Sequence, residues 1–266
     1  MLLLVLFLIG VLTGLTTVLF GFGGGFVTVP VIVWLEAADG STASTVAVAT
    51  SSLVMVVNAA VATVATPRPI LARLRGSRPL LLLLAIGGVI GAALAVRAPT
   101  TLISWGFVLY LALTVLDVLA RPGFLRPSPD VPDPGQELAI PIPVAAPIGA
   151  IASFLGVGGS VMTVPLLRRS GLRMSEAATL ANPLTLAISL PACATFLIAH
   201  HSSGVRTALF SVGTVDLGAG LLLLLGAVPV VVLLRRRPPT IPDRAHAWGY
   251  LGLLILVLAA SAAELA

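Results

Sequence analysis

The sequence predicts an all-α polytopic membrane protein, on the basis of its composition, its long apolar segments and an internal repeat. Of the 266 residues, 58% are hydrophobic and only 9% are charged, whereas roughly a quarter are charged in an ordinary soluble domain. With a mean hydropathy of +1.11, a globule of this size would have too little polar surface to cover itself. Soluble enzymes, nucleic-acid-binding domains and secreted disulfide scaffolds are therefore excluded.

Eight apolar stretches are long enough to cross a membrane, which takes about 20 residues. Two shorter apolar pieces directly follow glycine-rich breaks, so up to ten segments are counted when broken halves are separated. Residues 121–137 are polar and hold five prolines, which indicates a cytoplasmic linker between a first transmembrane repeat (1–120) and a second (138–266). The eight stretches are 1–20, 43–66, 79–97, 99–120, 138–156, 175–199, 206–234 and 244–264, and the short pieces are 26–35 and 161–167.

The two halves share a motif at matching positions. Residues 20–30 (FGFGGGFVTVP) align with residues 155–165 (LGVGGSVMTVP) at a constant offset of 135, with six of eleven positions identical. Duplicated units with broken helices in corresponding places are typical of transporters. The alternative is that the glycines only let helices pack closely, as small residues do in membranes.

The distribution of basic residues favours two inverted halves. All 15 basic residues are arginine, and simple alternation of eight segments divides them seven against eight. If the glycine-broken segments 1–35 and 138–167 each enter and return on one side, 13 of the 15 arginines share a side. The positive-inside rule makes that side cytoplasmic and predicts a multi-pass protein of the cell inner (plasma) membrane.

The paired breaks are the predicted ligand site. Irregular backbone at membrane depth must be buried in protein or line a watery cavity, because lipid cannot satisfy its polar groups. Half-helix N-termini after the breaks would direct free N–H groups at a small anion, and nearby hydroxyl and amide groups could bind its oxygens. The predicted substrate-binding residues are Gly23, Gly24, Gly25, Thr28, Thr50, Ser51, Gly158, Gly159, Ser160, Thr163 and Asn182.

Each polar side chain in this set also has an ordinary explanation. Interhelical hydrogen bonds explain a hydroxyl or amide equally well, and Ser51 and Ser52 at a helix start could be caps. Asp216 lies eleven positions into the apolar segment 206–234, where an ionisable group is a functional hypothesis by default. Proton coupling through Asp216 is one interpretation, and a structural aspartate bonded to Thr214 or to a neighbouring helix is the other.

No metal and no cofactor is predicted. His200 and His201 have no third ligand in view and favour a solvated loop pair over a metal site. The single cysteine, Cys193, excludes an intrachain disulfide and multi-cysteine clusters.

These motifs resemble those of the TauE/SafE sulfite exporter family, the TSUP permeases. The resemblance is carried by residues 21–30, by residues 47–52 (AVATSS) and by the second copy at 156–165, and the layout covers nearly the whole chain. It implies a membrane permease for sulfite, sulfonates or related sulfur compounds, mostly acting in export. Residues 180–183 (LANP) stand where the family's second copy is expected to have a Thr-Ser pair, which leaves the exact substrate open.

The expected function is therefore a small-anion permease without enzymatic activity, exporting sulfite or an organosulfonate by alternating access. Its partners would be the anion and the lipid bilayer, with no nucleic acid and with homo-oligomerisation left open. Within the transport class, the alternatives are an anion channel or an uptake permease for another oxyanion. In other classes, they are a non-transporting membrane subunit and an intramembrane hydrolase with Ser160 as nucleophile and His200 or His201 as base.

Overall fold

A computed structural model describes residues 2–36, 43–125, 140–199 and 211–265. Within these ranges the chain is built from helices and one short antiparallel hairpin, β1 (Ser211–Val212) with β2 (Val215–Asp216). The helices of the first half are α1 (Leu2–Phe20), α2 (Gly25–Glu36), α3 (Ala43–Val64), α4 (Arg68–Leu71) with a 3-10 turn (Ala72–Leu74), α5 (Arg78–Ala95) and α6 (Thr100–Ala120). Those of the second half are α7 (Ile142–Leu155), α8 (Ser160–Arg169), α9 (Met174–Ile198), α10 (Leu217–Arg236) and α11 (Asp243–Leu265).

Seven of the described helices are long and apolar enough to cross a membrane, namely α1, α3, α5, α6, α9, α10 and α11. Helix α7 is apolar but has only 14 residues. At 1.5 Å per residue it extends about 21 Å, which is less than the ~30 Å of a hydrocarbon core. With α2 and α8 these helices account for the predicted segments and broken halves, so the all-α polytopic class is confirmed.

Two sequence expectations about boundaries are wrong. The apolar segment 206–234 is not one helix, because residues 211–216 form the hairpin and α10 begins only at Leu217; residues 206–210 lie outside the described ranges. Gly213, at φ +59°, provides the left-handed residue that the tight turn requires. Helix α3 begins at Ala43, well before Ser51 and Ser52, so these two serines lie inside the helix and not at its start.

Helices of the first half pack most extensively against helices of the second half, α5 along α7 and α1 along α10. Glycines make the close approach possible. A Cβ atom added to Gly91 or Gly149 would fall on the backbone of the opposite helix of the α5–α7 pair. The pair is also joined by the Ser153 hydroxyl, which donates a hydrogen bond to the Gly88 carbonyl at 2.7 Å. Glycines at 10, 14 and 226 give α1 and α10 the same backbone contact.

We expect Gly91→Val to destabilise the bundle, because the new side chain would meet the Ala150 carbonyl and the Ser153 hydroxyl. Overpacking a tight interface typically costs about 1–3 kcal/mol. Thermal unfolding in detergent measures the effect. Gly252→Val is the matched control, since nothing lies within 4 Å of a Cβ atom at Gly252 in α11. Equal unfolding temperatures for the two variants would contradict close α5–α7 packing.

The arginine-rich loops lie at one end of the bundle. Arg73, in the 3-10 turn after α4, pairs with Glu176 of α9 at 3.9 Å. Arg169, at the end of α8, pairs with Asp117 of α6 at 2.7 Å. Simple alternation of eight segments would place the α3–α5 loop and the α8–α9 loop on opposite sides of the membrane. The ion pairs agree instead with the arrangement in which α7 and α8 return to the side from which α7 enters.

Candidate functional site

Two glycine-rich breaks interrupt the chain between helices, as the sequence predicts. The first separates α1 from α2, where Gly21, Gly23 and Gly24 have φ values of +75°, +65° and +110°. The second separates α7 from α8, where Gly156 and Gly158 both have φ +69°. L side chains rarely adopt these angles, so glycine is required at each of the five positions. The prolines at 30 and 165 do not end the short helices, which continue through them to residues 36 and 169.

The two breaks meet at the centre of the bundle, against Met55 of α3 and Thr185 of α9. A Cβ atom on Gly23 would lie 2.8 Å from Thr185 Cγ2 and 3.5 Å from Met55 Cγ. A Cβ atom on Gly158 would lie 3.0 Å from Met55 Sδ and 3.1 Å from Thr185 Cγ2. Since residues 55 and 185 are both near the middle of long helices, the breaks lie at mid-depth. The fold thus brings predicted residues of the two halves into one buried cluster.

Short helices begin at this cluster from both halves. Helix α2 starts at Gly25 and α8 at Ser160, and they have 12 and 10 residues. A helix N-terminus carries free N–H groups and a partial positive charge. The atoms that come nearest to the glycines of the breaks belong to uncharged residues. The attraction for an anion would therefore come from helix ends and neutral donors.

Some of the predicted polar residues already have partners. The Thr28 hydroxyl donates to the Gly24 carbonyl at 2.8 Å. The Ser51 hydroxyl lies 2.8 Å from the Val48 carbonyl and 3.0 Å from the Gly156 carbonyl, which ties α3 to the second break. Ser51 therefore is not a helix cap, and neither is its neighbour at 52, whose hydroxyl donates back to residue 49 within α3.

Other polar atoms around the breaks are buried without a hydrogen-bond partner in the described part of the chain. Each such group costs about 1–3 kcal/mol, and unsatisfied groups of this kind in a native fold call for an explanation. Three are predicted site atoms, namely Ser160 Oγ, Thr163 Oγ1 and Asn182 Oδ1. The rest of the set near the breaks comprises Thr13 Oγ1, both polar atoms of the Asn58 amide, Thr185 Oγ1 and Ser189 Oγ.

Asn58 and Thr13 were not among the residues that the sequence analysis selected. A helical period would have identified Asn58, because positions 51, 55 and 58 follow the i, i+4, i+7 spacing of one helix face. A Cβ atom on Gly24 would lie 3.1 Å from Asn58 Nδ2, and the Thr13 methyl group is closer still. These two residues therefore contact the first break directly.

Asp216 lies at the start of a helix and not inside one that spans residues 206–234. It is the N-cap of α10, and its Oδ1 accepts a hydrogen bond from the Ala219 N–H at 3.0 Å. Its own N–H donates to Thr50 Oγ1 of α3 at 3.0 Å. Thr214 instead bonds to the Phe196 carbonyl. These bonds support the interpretation of Asp216 as a structural residue, while proton coupling remains a prediction.

A family comparison agrees with this arrangement of broken helices. The model of the family described as Sulfite exporter TauE/SafE matches residues 6–261 of the chain. The chain belongs to the TauE/SafE sulfite exporter family. No curated protein and no solved structure matches it. Membership of this transporter family implies a multi-pass membrane permease of the anion or sulfite type, whose partners are a small anion and the lipid bilayer.

The remaining predictions concern enzymatic chemistry and metals. In this TauE/SafE family member, Ser160 Oγ has no hydrogen-bond partner among the described residues. His200 and His201 lie outside the described residues. No group of three or more His, Cys, Asp or Glu in the described ranges could hold a metal ion. Membership of a transporter family implies that the protein is not an enzyme.

Proposed function

We propose that this permease exports sulfite or an organosulfonate by alternating access. The observation that carries the proposal is the meeting of the two glycine breaks at Met55 and Thr185. There two helix N-termini and several unpartnered polar groups lie within one buried cluster. In secondary transporters, short helices from the two repeats typically begin at a binding site near the membrane midplane. A small oxyanion would accept hydrogen bonds from such neutral donors without a fixed countercharge that would retain it.

The proposed transport movement is a rocking of helix pairs around this cluster, with one helix of each pair from the first half and one from the second. This movement is supported by the packing between the two halves, since α5 of the first half packs on α7 of the second and α1 packs on α10. Rigid pairs of helices that each contain one member of either half could move as units about the breaks. The ion pairs of Arg73 and Arg169 gather loops at one end, which the positive-inside rule assigns to the cytoplasm of the inner membrane.

Proton coupling through Asp216 belongs to the same proposal. Asp216 is 4% exposed, its carboxylate caps α10, and its backbone N–H donates to Thr50 of α3. Protonation would weaken the cap of α10, next to the backbone N–H bond by which the same residue joins α10 to α3, a helix of the other half. A permease coupled in this way would respond to a pH gradient, and Asp216→Asn would remove that response.

Counterflow of labelled sulfite into proteoliposomes tests the proposed function. Proteoliposomes that contain the purified 266-residue chain would be loaded with unlabelled sulfite, methanesulfonate, sulfate or chloride. We expect internal sulfite or sulfonate, and not chloride, to drive uptake of the label. Absence of counterflow from protein shown to be folded would overturn the proposal. Conductance that exceeds carrier turnover would instead identify an anion channel.

Cysteine labelling tests the inverted topology separately. With Cys193→Ala as background, single cysteines would replace Arg75, Ser170 and Arg236. We expect an impermeant thiol reagent to label all three from the cytoplasmic side only, because their loops share one end of the bundle. Labelling at position 170 from the outside would contradict the return of α8 to the cytoplasm.

A further inference from the structure

The two breaks have different surroundings in the two halves. Gly24 and Gly159 occupy corresponding motif positions at the offset of 135. A Cβ atom on Gly24 would meet Thr13 and Asn58 first and then Val54, whereas one on Gly159 would meet Ile188 first and then residues 148 and 163. The positions 13 and 148 are themselves separated by 135. At this pair of corresponding positions, polar residues are therefore nearest in the first half and isoleucines in the second.

Among the polar side chains near Gly24, that of Asn58 has the most polar atoms without a hydrogen-bond partner in the described part of the chain. Its side chain is fully buried, and neither Nδ2 nor Oδ1 has a hydrogen-bond partner among the described residues. Thr13 Oγ1 is also buried without a hydrogen-bond partner among the described residues. By contrast, the hydroxyls of Thr16 and Thr17, on the same helix, both donate to the Thr13 carbonyl, at 3.0 and 2.8 Å. An intrahelical bond is thus available to threonines here, and Thr13 does not use one.

We propose that Asn58, together with Thr13, binds the protonated oxygen of a singly charged oxyanion, so that hydrogen sulfite is the carried species. This inference rests on the proposed function and names the substrate form within it. A primary amide offers a donor and an acceptor side by side in either orientation. An oxyanion that carries an O–H group can use both. A sulfonate or a fully deprotonated sulfite can use only the donor and would face the amide oxygen with its own lone pairs.

The amide oxygen of Asn182 is a second unpartnered acceptor and supports the same inference. Asn182 donates through Nδ2 to the carbonyls of Ala178 at 3.1 Å and Thr179 at 3.4 Å. Those carbonyls fix the orientation of the amide, because turning it would bring two acceptor oxygens together. Its Oδ1 is buried and unpartnered. A site that contains unpartnered acceptors as well as donors suits a ligand that carries a proton.

The charges near the site also favour a single negative charge. The buried guanidinium of Arg168 is already paired with Asp243. Arg235 of α10 donates to Thr179 Oγ1 of α9 at 3.0 Å, and its Nε and Nη2 have no partner among the described residues. The atoms nearest to the break glycines are uncharged. The cost of transferring an ion from water into a medium of low dielectric constant rises with the square of its charge. A singly charged anion therefore costs less to bury here than a doubly charged one.

The first arm of the test changes the amide and measures substrate preference in proteoliposomes. We expect wild-type protein to prefer sulfite over methanesulfonate, which is singly charged but has no O–H group. Asn58→Leu should lower sulfite counterflow about 10- to 100-fold, the equivalent of one hydrogen bond to a charged group, and should abolish the preference. Thr13→Val should produce a smaller loss in the same direction. Thr17→Val is the matched control and should behave as wild type.

The second arm needs no variant of the amide and so remains informative if Asn58→Leu does not fold. Sulfite counterflow at equal pH on both sides would be measured across the range in which sulfite loses its second proton. We expect flux to follow the singly charged fraction and to fall as pH rises. Flux that is unchanged across this range, or that follows the doubly charged fraction, would overturn the inference.

The outcomes separate the two proposals. If neither sulfite nor methanesulfonate is carried, the proposed function fails. If sulfite is carried but the Asn58→Leu variant keeps both the rate and the preference of wild type, only the substrate form fails. If methanesulfonate is carried as well as sulfite by wild type, the assignment of the amide to a protonated oxygen is wrong.

Discussion

The double variant Gly24→Val, Gly158→Val is expected to lose sulfite counterflow while still inserting into the membrane. Both glycines have left-handed φ values, +110° and +69°, which a β-branched residue adopts only at a cost of about 1–2 kcal/mol each. The new side chains would also come too close to Thr13 and Met55, which are already in contact with the breaks. The breaks would then be unable to hold the short-helix N-termini at the cluster. Flux in proteoliposomes and monodispersity in detergent measure the two effects.

Gly76→Val is the matched control for this variant. Gly76 has φ +90°, and nothing lies within 4 Å of a Cβ atom there, so the substitution adds backbone strain without filling the site. It should reduce stability slightly and leave counterflow intact. The pair Gly24→Val, Gly159→Val should act more weakly, because Gly159 has a helical φ of −71°. Wild-type flux from the Gly24, Gly158 variant would remove the proposed site.

Asp243→Ala is expected to lower the free energy of unfolding by about 3–5 kcal/mol, because it leaves a buried cation without its counterion. Arg168 is only 1% exposed and forms an ion pair with Asp243. It also donates to the carbonyls of Phe124 at 3.0 Å and Leu172 at 2.9 Å. The same carboxylate accepts a hydrogen bond from the Met174 N–H at 2.7 Å. The pair thus joins α8, α11, the start of α9 and the turn after α6.

Glu176→Ala is the control that separates the effect of a buried partner cation from the effect of losing a carboxylate. The side chains of Glu176 and Asp243 are both 34% exposed, but Glu176 pairs with Arg73, which is 33% exposed. Exposed pairs contribute about 0–1 kcal/mol, so this variant should unfold nearly as wild type does. Adding Arg168→Met to Asp243→Ala should recover part of the loss, since the uncompensated charge is gone. Equal unfolding temperatures for the two carboxylate variants would contradict the buried pair.

Local sequence signals were sufficient to locate the glycine breaks and the spanning helices. Gly21 and Gly156 are identical motif positions, and only glycine tolerates the left-handed backbone found at both. The length of each apolar stretch predicted the spanning helices, because a helix that crosses the hydrocarbon core needs about 20 consecutive, mostly apolar residues. The same signals failed at Asp216, because the short hairpin that contains it lies within a mostly apolar stretch and is held by contacts with α3 and α9, which are distant in sequence.

The sequence by itself determined the membrane class, the paired breaks and the family, because hydropathy and glycine requirements are properties of single residues or short stretches. Only the tertiary structure decided which polar groups surround the breaks. Ser51 and Thr28 have carbonyl partners, while Asn58 and Thr13 contact Gly24 without a hydrogen-bond partner in the described part of the chain. Whether a buried polar atom is satisfied depends on helices packed from elsewhere in the chain. No local pattern contains that information.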